Sequence, residues 1–196
     1  MAETEMAVAT SECRTGGKSV LRLVRADITT LEVEAIVFYA RPNLALGSGF
    51  GNAIARRGGP SIKKELDQIG GIELTDAVVT SAGNMKTKHI VHAAGPGFQE
   101  ANLEEKLRST ILNALKRAEE KGIKQIALPP MGTGFYGVSL SVCSEVMVNT
   151  IRDYLSNNTG FREVIICASD MREYKPFEAR LASLSQASPN GMARFL

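Results

Sequence analysis

The segment Glu34-Ala35-Ile36-Val37-Phe38-Tyr39 narrows the possible folds more than any other. It is a nearly continuous apolar run, which fits a strand covered by other layers on both faces. Such strands need helices above and below them, and the rest of the chain supplies both kinds of element in alternation. Ser19–Val24, Ala77–Ser81, His89–Ala93, Ile123–Leu128 and Glu163–Cys167 also read as strands. Helices are expected over residues 52–57, 61–69, 102–121, 139–155 and 173–184. The third has Leu103, Leu107, Ile111, Leu115 and Ala118 at spacings of three and four, and Gly122 ends it. This alternation predicts an α/β fold of three layers, α/β/α, around a mixed and mostly parallel sheet of about six strands.

The chain has 196 residues, 44% of them hydrophobic, enough for one domain with a real core. Residues 1–17 show no periodicity and are expected to form a disordered or loosely packed arm. The domain is expected over 18–184, with a patternless tail at 185–196. A net charge of +2 lacks the basic excess of a dedicated nucleic-acid binder. Cys13, Cys143 and Cys167 are odd in number and widely spaced, and with two histidines in the chain no zinc ligand set is apparent. Reduced thiols, no membrane span and a polar start without an apolar signal core together lead to the expectation of a cytoplasmic protein without a metal or other cofactor.

Two glycine-rich stretches stand at strand-to-helix junctions. Gly132-Thr133-Gly134-Phe135-Tyr136-Gly137 matches G-x-G-x-x-G, and Gly47-Ser48-Gly49-Phe50-Gly51 opens another helix. Backbone N–H groups and the positive end of a helix make such junctions phosphate cradles, and glycine lets oxygens approach the backbone. Either loop alone is weak, because glycines also serve ordinary turns. The first motif lies two-thirds of the way along the chain, behind Pro129-Pro130, which argues against a Rossmann dinucleotide turn. Together, the two loops point to a ligand that carries phosphate.

Four segments then resemble the macro-domain family in order and spacing: Val24-Arg25-Ala26-Asp27-Ile28-Thr29, Gly58-Gly59-Pro60-Ser61, Ile90-Val91-His92-Ala93-Ala94-Gly95-Pro96, and Ala127-Leu128-Pro129-Pro130-Met131-Gly132-Thr133-Gly134. The match runs from about Leu21 to about Leu184. This resemblance implies a cleft for ADP-ribose over the strand ends. Asp27 would accept from the adenine amino group, and the Ile28 N–H would also contact the base. Gly47, Ser48, Gly49 and Phe50 would form one phosphate loop. Gly132, Thr133, Gly134, Phe135 and Tyr136 would form the other, with Phe135 against the distal ribose. Ser169, Asp170 and Met171 would lie at the adenosine end.

The departures carry as much information. Hydrolytic members of the family typically show N-A-A-N after the second strand, where this chain has Phe38-Tyr39-Ala40-Arg41. Many also carry an aspartate at the position of Gly51. No strong general base is thus expected in the usual place, with Glu34 and Asp170 as the nearest substitutes. The pattern is closer to non-hydrolytic members, which implies a module that binds ADP-ribose, free or protein-attached, or a related nucleotide diphosphate, without efficient turnover. Arg41 could clamp a phosphate or block the distal ribose pocket. Two rivals stay open: a hydrolase of ADP-ribose derivatives, and an RNA-binding module built around Phe38, Tyr39 and Arg41. His89 and His92, at i and i+3 on a strand, face opposite ways and read as structural. Arg56, Arg57, Lys63 and Lys64 read as a solvated helix surface.

Overall fold

The computed structural model describes residues 10–14, 18–47, 49–97, 100–157 and 159–186. Seven strands form one sheet: β1 (Thr10–Arg14), β2 (Val20–Arg25), β3 (Ala35–Ala40), β4 (Ala77–Ser81), β5 (His89–Ala94), β6 (Gln125–Leu128) and β7 (Glu163–Ala168). Their spatial order is β1-β2-β7-β6-β3-β5-β4. The five inner strands are parallel, and β1 and β4 run antiparallel at the two edges. The expected mixed, mostly parallel sheet is therefore present, with seven strands instead of about six. The additional strand is β1, which falls in the stretch expected to be an unstructured arm. Thr10 pairs with Val24 and Arg14 with Val20. Five residues without alternation give little sequence signal, and it is the exposed edge of β2 that organises them. Residues 1–9, 15–17 and 187–196 lie outside the described residues.

Five helices cover the sheet: α1 (Phe50–Gly58), α2 (Pro60–Ile69), α3 (Leu103–Glu120), α4 (Leu140–Leu155) and α5 (Met171–Gln186). On β3 every residue is buried, and successive side chains go to opposite layers. Ala35, Val37 and Tyr39 join a core with Leu107 and Ile111 of α3, Met147 of α4 and Phe177 of α5. Ile36, Phe38 and Ala40 join a second core with Ile54 of α1 and Ile62 and Leu66 of α2. Each such Leu or Ile, fully buried, contributes roughly 1.5–3 kcal/mol. The continuous apolar run of β3 is thus the price of serving both cores at once.

Local signals set the helix ends. Gly59 closes α1, and Pro60 occupies the first position of α2, where its missing N–H costs nothing. Ser139 caps α4 by accepting from the Val142 N–H at 3.2 Å. In α3 the buried positions include Leu107, Ile111, Leu115 and Ala118, the stripe that the spacing predicts. None of the described helices is long and apolar enough to cross a membrane.

Candidate functional site

Four neighbouring parallel strands, β2, β7, β6 and β3, point their carboxyl ends the same way, and a cleft of about 1500 Å³ lies across those ends. Arg25 at the end of β2 lines it with Ala26 and Asp27 beyond, Cys167 of β7 with Ser169 beyond, Pro129 and Pro130 from beyond β6, and Phe38 and Tyr39 of β3 with Arg41 beyond. This is where open α/β sheets place ligands, because the loops that leave the strands diverge there.

The loops after β3 and after β6 both contribute to the lining. Gly47, Gly49 and Phe50 line the cleft, and Gly49 is the N-cap of α1 without a side-chain cap. The first N–H groups of α1 therefore lack an intrahelical partner, at the positive end of the helix. The loop after β6 adds Gly132, Thr133 and Tyr136 to the lining. Thr133 Oγ1 donates to the Pro130 carbonyl at 3.1 Å, and the Val138 N–H donates to the Gly132 carbonyl at 3.0 Å, which closes the loop.

The floor is aromatic. Phe38 meets Phe50 edge-on at 5.5 Å and the buried His92 at 5.9 Å. Tyr39 meets Tyr136 edge-on at 4.8 Å, and its hydroxyl donates to the Pro96 carbonyl at 2.7 Å. Burial, reinforced by Tyr136, raises the Tyr39 phenol well above its ordinary pKa, so it stays protonated. His92 lies beneath this floor with Nε2 2.9 Å from Thr80 Oγ1, and burial depresses its pKa to about 4. The structural reading of the histidines matches this placement, with His92 fully buried and His89 partly so.

The carboxylates that line the cleft are each engaged. Asp27 Oδ1 accepts from the Thr29 N–H at 2.9 Å and from Thr29 Oγ1 at 2.6 Å, while Oδ2 faces Arg57 at 3.1 Å. Glu32 pairs with Lys86 at 2.7 Å, and that ammonium holds the Glu32 carboxyl below its ordinary pKa. Glu173 accepts from the Ser169 N–H and hydroxyl at 2.8 and 2.7 Å. Four cations, Arg25, Arg41, Arg57 and Lys86, share the lining with these three acids.

The cleft brings together Asp27, Ile28, Arg41, Gly47, Gly49, Phe50, Gly132, Thr133, Tyr136 and Ser169. Gly134, which is exposed, and Asp170 are not part of this lining. Asp170 instead accepts from the Glu173 N–H at 2.9 Å and starts α5. Ser48 lies outside the described residues, as does the side chain of Phe135. Glu34 precedes β3, at the opposite end of the strand from the cleft, where it accepts from the Lys124 N–H at 2.6 Å. It cannot serve the site as a base.

Arg57 corrects the reading of its cluster as a plain solvated surface. Arg56, Lys63 and Lys64 are exposed on the helices, but Arg57 reaches the cleft. Phe50, Ala53 and Arg57 are spaced i, i+3 and i+7 and all line it, so helical periodicity counted from the glycine loop carries the signal. Glu173 likewise follows from position, one turn after the last strand. Lys86 comes from a loop with no periodicity to betray it.

A profile of the macro domain matches residues 40–147. An uncharacterised protein of Saccharolobus solfataricus is 36% identical over 166 residues, which cover 83% of this chain and 92% of that one. A macro domain-containing protein of Caldanaerobacter subterraneus subsp. tengcongensis is 34% identical over 175 residues, 86% of this chain and 99% of its own. Among solved structures, the Oceanobacillus iheyensis macrodomain with ADP superposes with a TM-score of 0.86 at 24% identity, over 92% of this chain and 98% of that one. The Trypanosoma brucei macrodomain in complex with ADP-ribose gives 0.77 at 23% identity, over 82% and 68%.

Proposed function

The chain belongs to the macro domain family, and from that premise we propose that its cleft binds ADP-ribose, free or attached to protein, without efficient turnover. The observation that carries the reading is the cleft itself, set over four parallel strand ends between two glycine-rich loops. Its size and polarity suit a nucleotide diphosphate. Asp27 at the β2 end offers an acceptor-only group to the adenine amino group. The N-terminus of α1 and the loop at Gly132 and Thr133 offer backbone N–H groups and a helix dipole to the pyrophosphate. Structures of family members with ADP and with ADP-ribose support the same class of ligand.

The chemistry of turnover finds little support in the lining. A hydrolase needs a group that orients or deprotonates water, placed at the distal ribose. Asp27, Glu32 and Glu173, the carboxylates of the described lining, all hold hydrogen-bond or ion-pair partners. Gly51 carries no side chain, and the Leu46 carbonyl fills the space where one would start. His92 is buried and neutral at physiological pH.

Calorimetric titration with AMP, ADP and ADP-ribose tests the reading one sub-site at a time. Affinity should rise from AMP to ADP as the second phosphate engages the loops, and ADP-ribose should bind at least as tightly as ADP. Equal affinity for AMP and ADP would remove the phosphate role of the loops. Failure of all three to bind would remove the nucleotide reading.

A further inference from the structure

Hydrogen-bond capacity is unevenly spent at the β2 and β7 end of the cleft. A carboxylate has about four lone-pair sites, two on each oxygen. Asp27 Oδ1 uses both on Thr29, and Oδ2 faces the Arg57 guanidinium. Glu173 is different. Its Oε2 takes both hydrogen bonds from Ser169, and its Oε1 has no partner among the described residues. The carboxylate is held in one orientation from one side only.

Both acids border the same spot. Cys167, the next-to-last residue of β7, lines the cleft with Sγ directed at the Ala26 carbonyl at 3.3 Å. Burial, with added contributions from the charges of Asp27 and Glu173, pushes this thiol up to about 12. The Ala26 N–H donates to the Ala168 carbonyl at 3.0 Å, so the turn after β2, which carries Asp27, and Ser169, which holds Glu173 on the first turn of α5, leave neighbouring strand ends side by side, and both carboxylates line the cleft. Asp170 fixes that turn through the Glu173 N–H, so the position of the side chain is inherited from the helix start.

We propose that Glu173 is a specificity-determining residue, whose Oε1 accepts a hydrogen bond from the exocyclic amino group of the nucleobase. The inference rests on the nucleotide reading of the cleft and deepens it. An amino group has two hydrogens, and a base end bordered by two acceptor-only groups can take both. A keto oxygen at the same position would face two carboxylates with no proton between them. The cleft then selects amino-bearing over keto-bearing bases, and Glu173 supplies the part of that selection that Asp27, largely occupied by its own neighbours, does not.

The test is paired titration of ADP and IDP into the wild-type chain and into Glu173→Gln. The glutamine carbonyl can still accept from Ser169, so the start of α5 is kept while the charged acceptor is lost. Wild-type protein should prefer ADP, and Glu173→Gln should lower the ADP-to-IDP ratio about tenfold, the worth of one charge-assisted hydrogen bond. A purely structural role would weaken both ligands in parallel and leave the ratio unchanged, which would overturn the proposal. So would equal binding of ADP and IDP by the wild-type chain. Should thermal melting show Glu173→Gln to be unfolded, Ser169→Ala replaces it. Loss of the hydroxyl bond loosens the carboxylate, and the ratio should fall in part; an unchanged ratio again overturns the proposal. Failure of wild-type protein to bind ADP at all marks failure of the nucleotide reading itself, a result distinct from an unchanged ratio.

Discussion

Arg57 and Asp27 meet at 3.1 Å across thirty positions of sequence, and their ion pair joins the end of α1 to the turn after β2. Both side chains are about half exposed, so the pair itself contributes no more than about 1 kcal/mol to stability. Its consequence is positional. The guanidinium and Thr29 between them hold the Asp27 carboxylate at the rim of the cleft.

Asp27→Ala should therefore separate binding from folding. Loss of the carboxylate removes the cap on the Ile28–Thr30 turn, a cost of about 1 kcal/mol, and the melting temperature should drop by only a few degrees. Affinity for ADP-ribose should fall at least about tenfold, as expected for a lost charge-assisted hydrogen bond. Calorimetry on the folded variant decides, and retained affinity would take Asp27 out of the base site.

Much of this was legible in the sequence because the relevant residues obey short-range rules. The apolar run of β3, the stripe of α3 and the two glycine loops depend on near neighbours and on burial. β1 was not legible, because its five residues become a strand only by pairing with β2. Arg57 was hidden for a different reason. Its charge reads as solvation until the helix is known to start at the cleft, and only then does the i+7 relation to Phe50 place it inside. Two glycines of one motif also differ in placement, which the motif alone does not tell: Gly132 lines the cleft and Gly134 does not.

The two glycines should accordingly answer differently to alanine. Gly132 has φ +77°, and a Cβ there would lie 2.8 Å from the Val138 side chain and 3.2 Å from the Tyr39 hydroxyl. Gly134 has φ +69° and open space around the same point. Backbone strain alone costs about 1–2 kcal/mol at each. Gly132→Ala adds the contact with Val138 and Tyr39, so urea unfolding should show it to be the less stable of the two variants. It should also be the one that binds nucleotide worse, since it alone moves the wall of the cleft. Equal stability would mean that Val138 and Tyr39 yield freely.

Acid should weaken the fold before its carboxylates titrate. His92 has a pKa depressed to about 4 by burial, against 6.5 for an exposed imidazole. The unfolded chain therefore binds the proton first, and stability falls as pH drops from about 6.5 towards 4. The shift sets an upper limit on the order of 3 kcal/mol. Glu34 and Glu65 are held below their ordinary range by hydrogen bonds from Lys124 and Ser81, so their contribution is lost lower down. Urea denaturation at pH 7 and pH 5 should show the loss in wild-type protein and a smaller loss in His92→Gln. Equal loss in both would exonerate His92.

The last prediction concerns catalysis, and it turns on Gly51. A Cβ built at Gly51 falls 1.5 Å from the Leu46 carbonyl oxygen and 3.0 Å from the Phe38 ring. Those are backbone and core atoms, neither of which can rotate aside. An aspartate therefore cannot be added here by substitution alone, because the loop before α1 takes a path that only glycine permits. Gly51→Asp should lower stability, and it should not create a hydrolase, since any carboxylate that is accommodated arrives with a displaced loop before α1. The wild-type chain should likewise release ADP-ribose from mono-ADP-ribosylated protein, and acetate from O-acetyl-ADP-ribose, no faster than a no-enzyme control by any useful margin. General base catalysis typically supplies 10²–10⁴-fold, roughly the gap expected from an efficient hydrolase of the family. Multiple turnovers within minutes by the wild-type chain would show that a water is activated by the substrate's own phosphate or by a group of the cleft assigned here to binding. Turnover gained by a stable Gly51→Asp protein would show that the Leu46 carbonyl moves easily, and that the loop path is no barrier to catalysis.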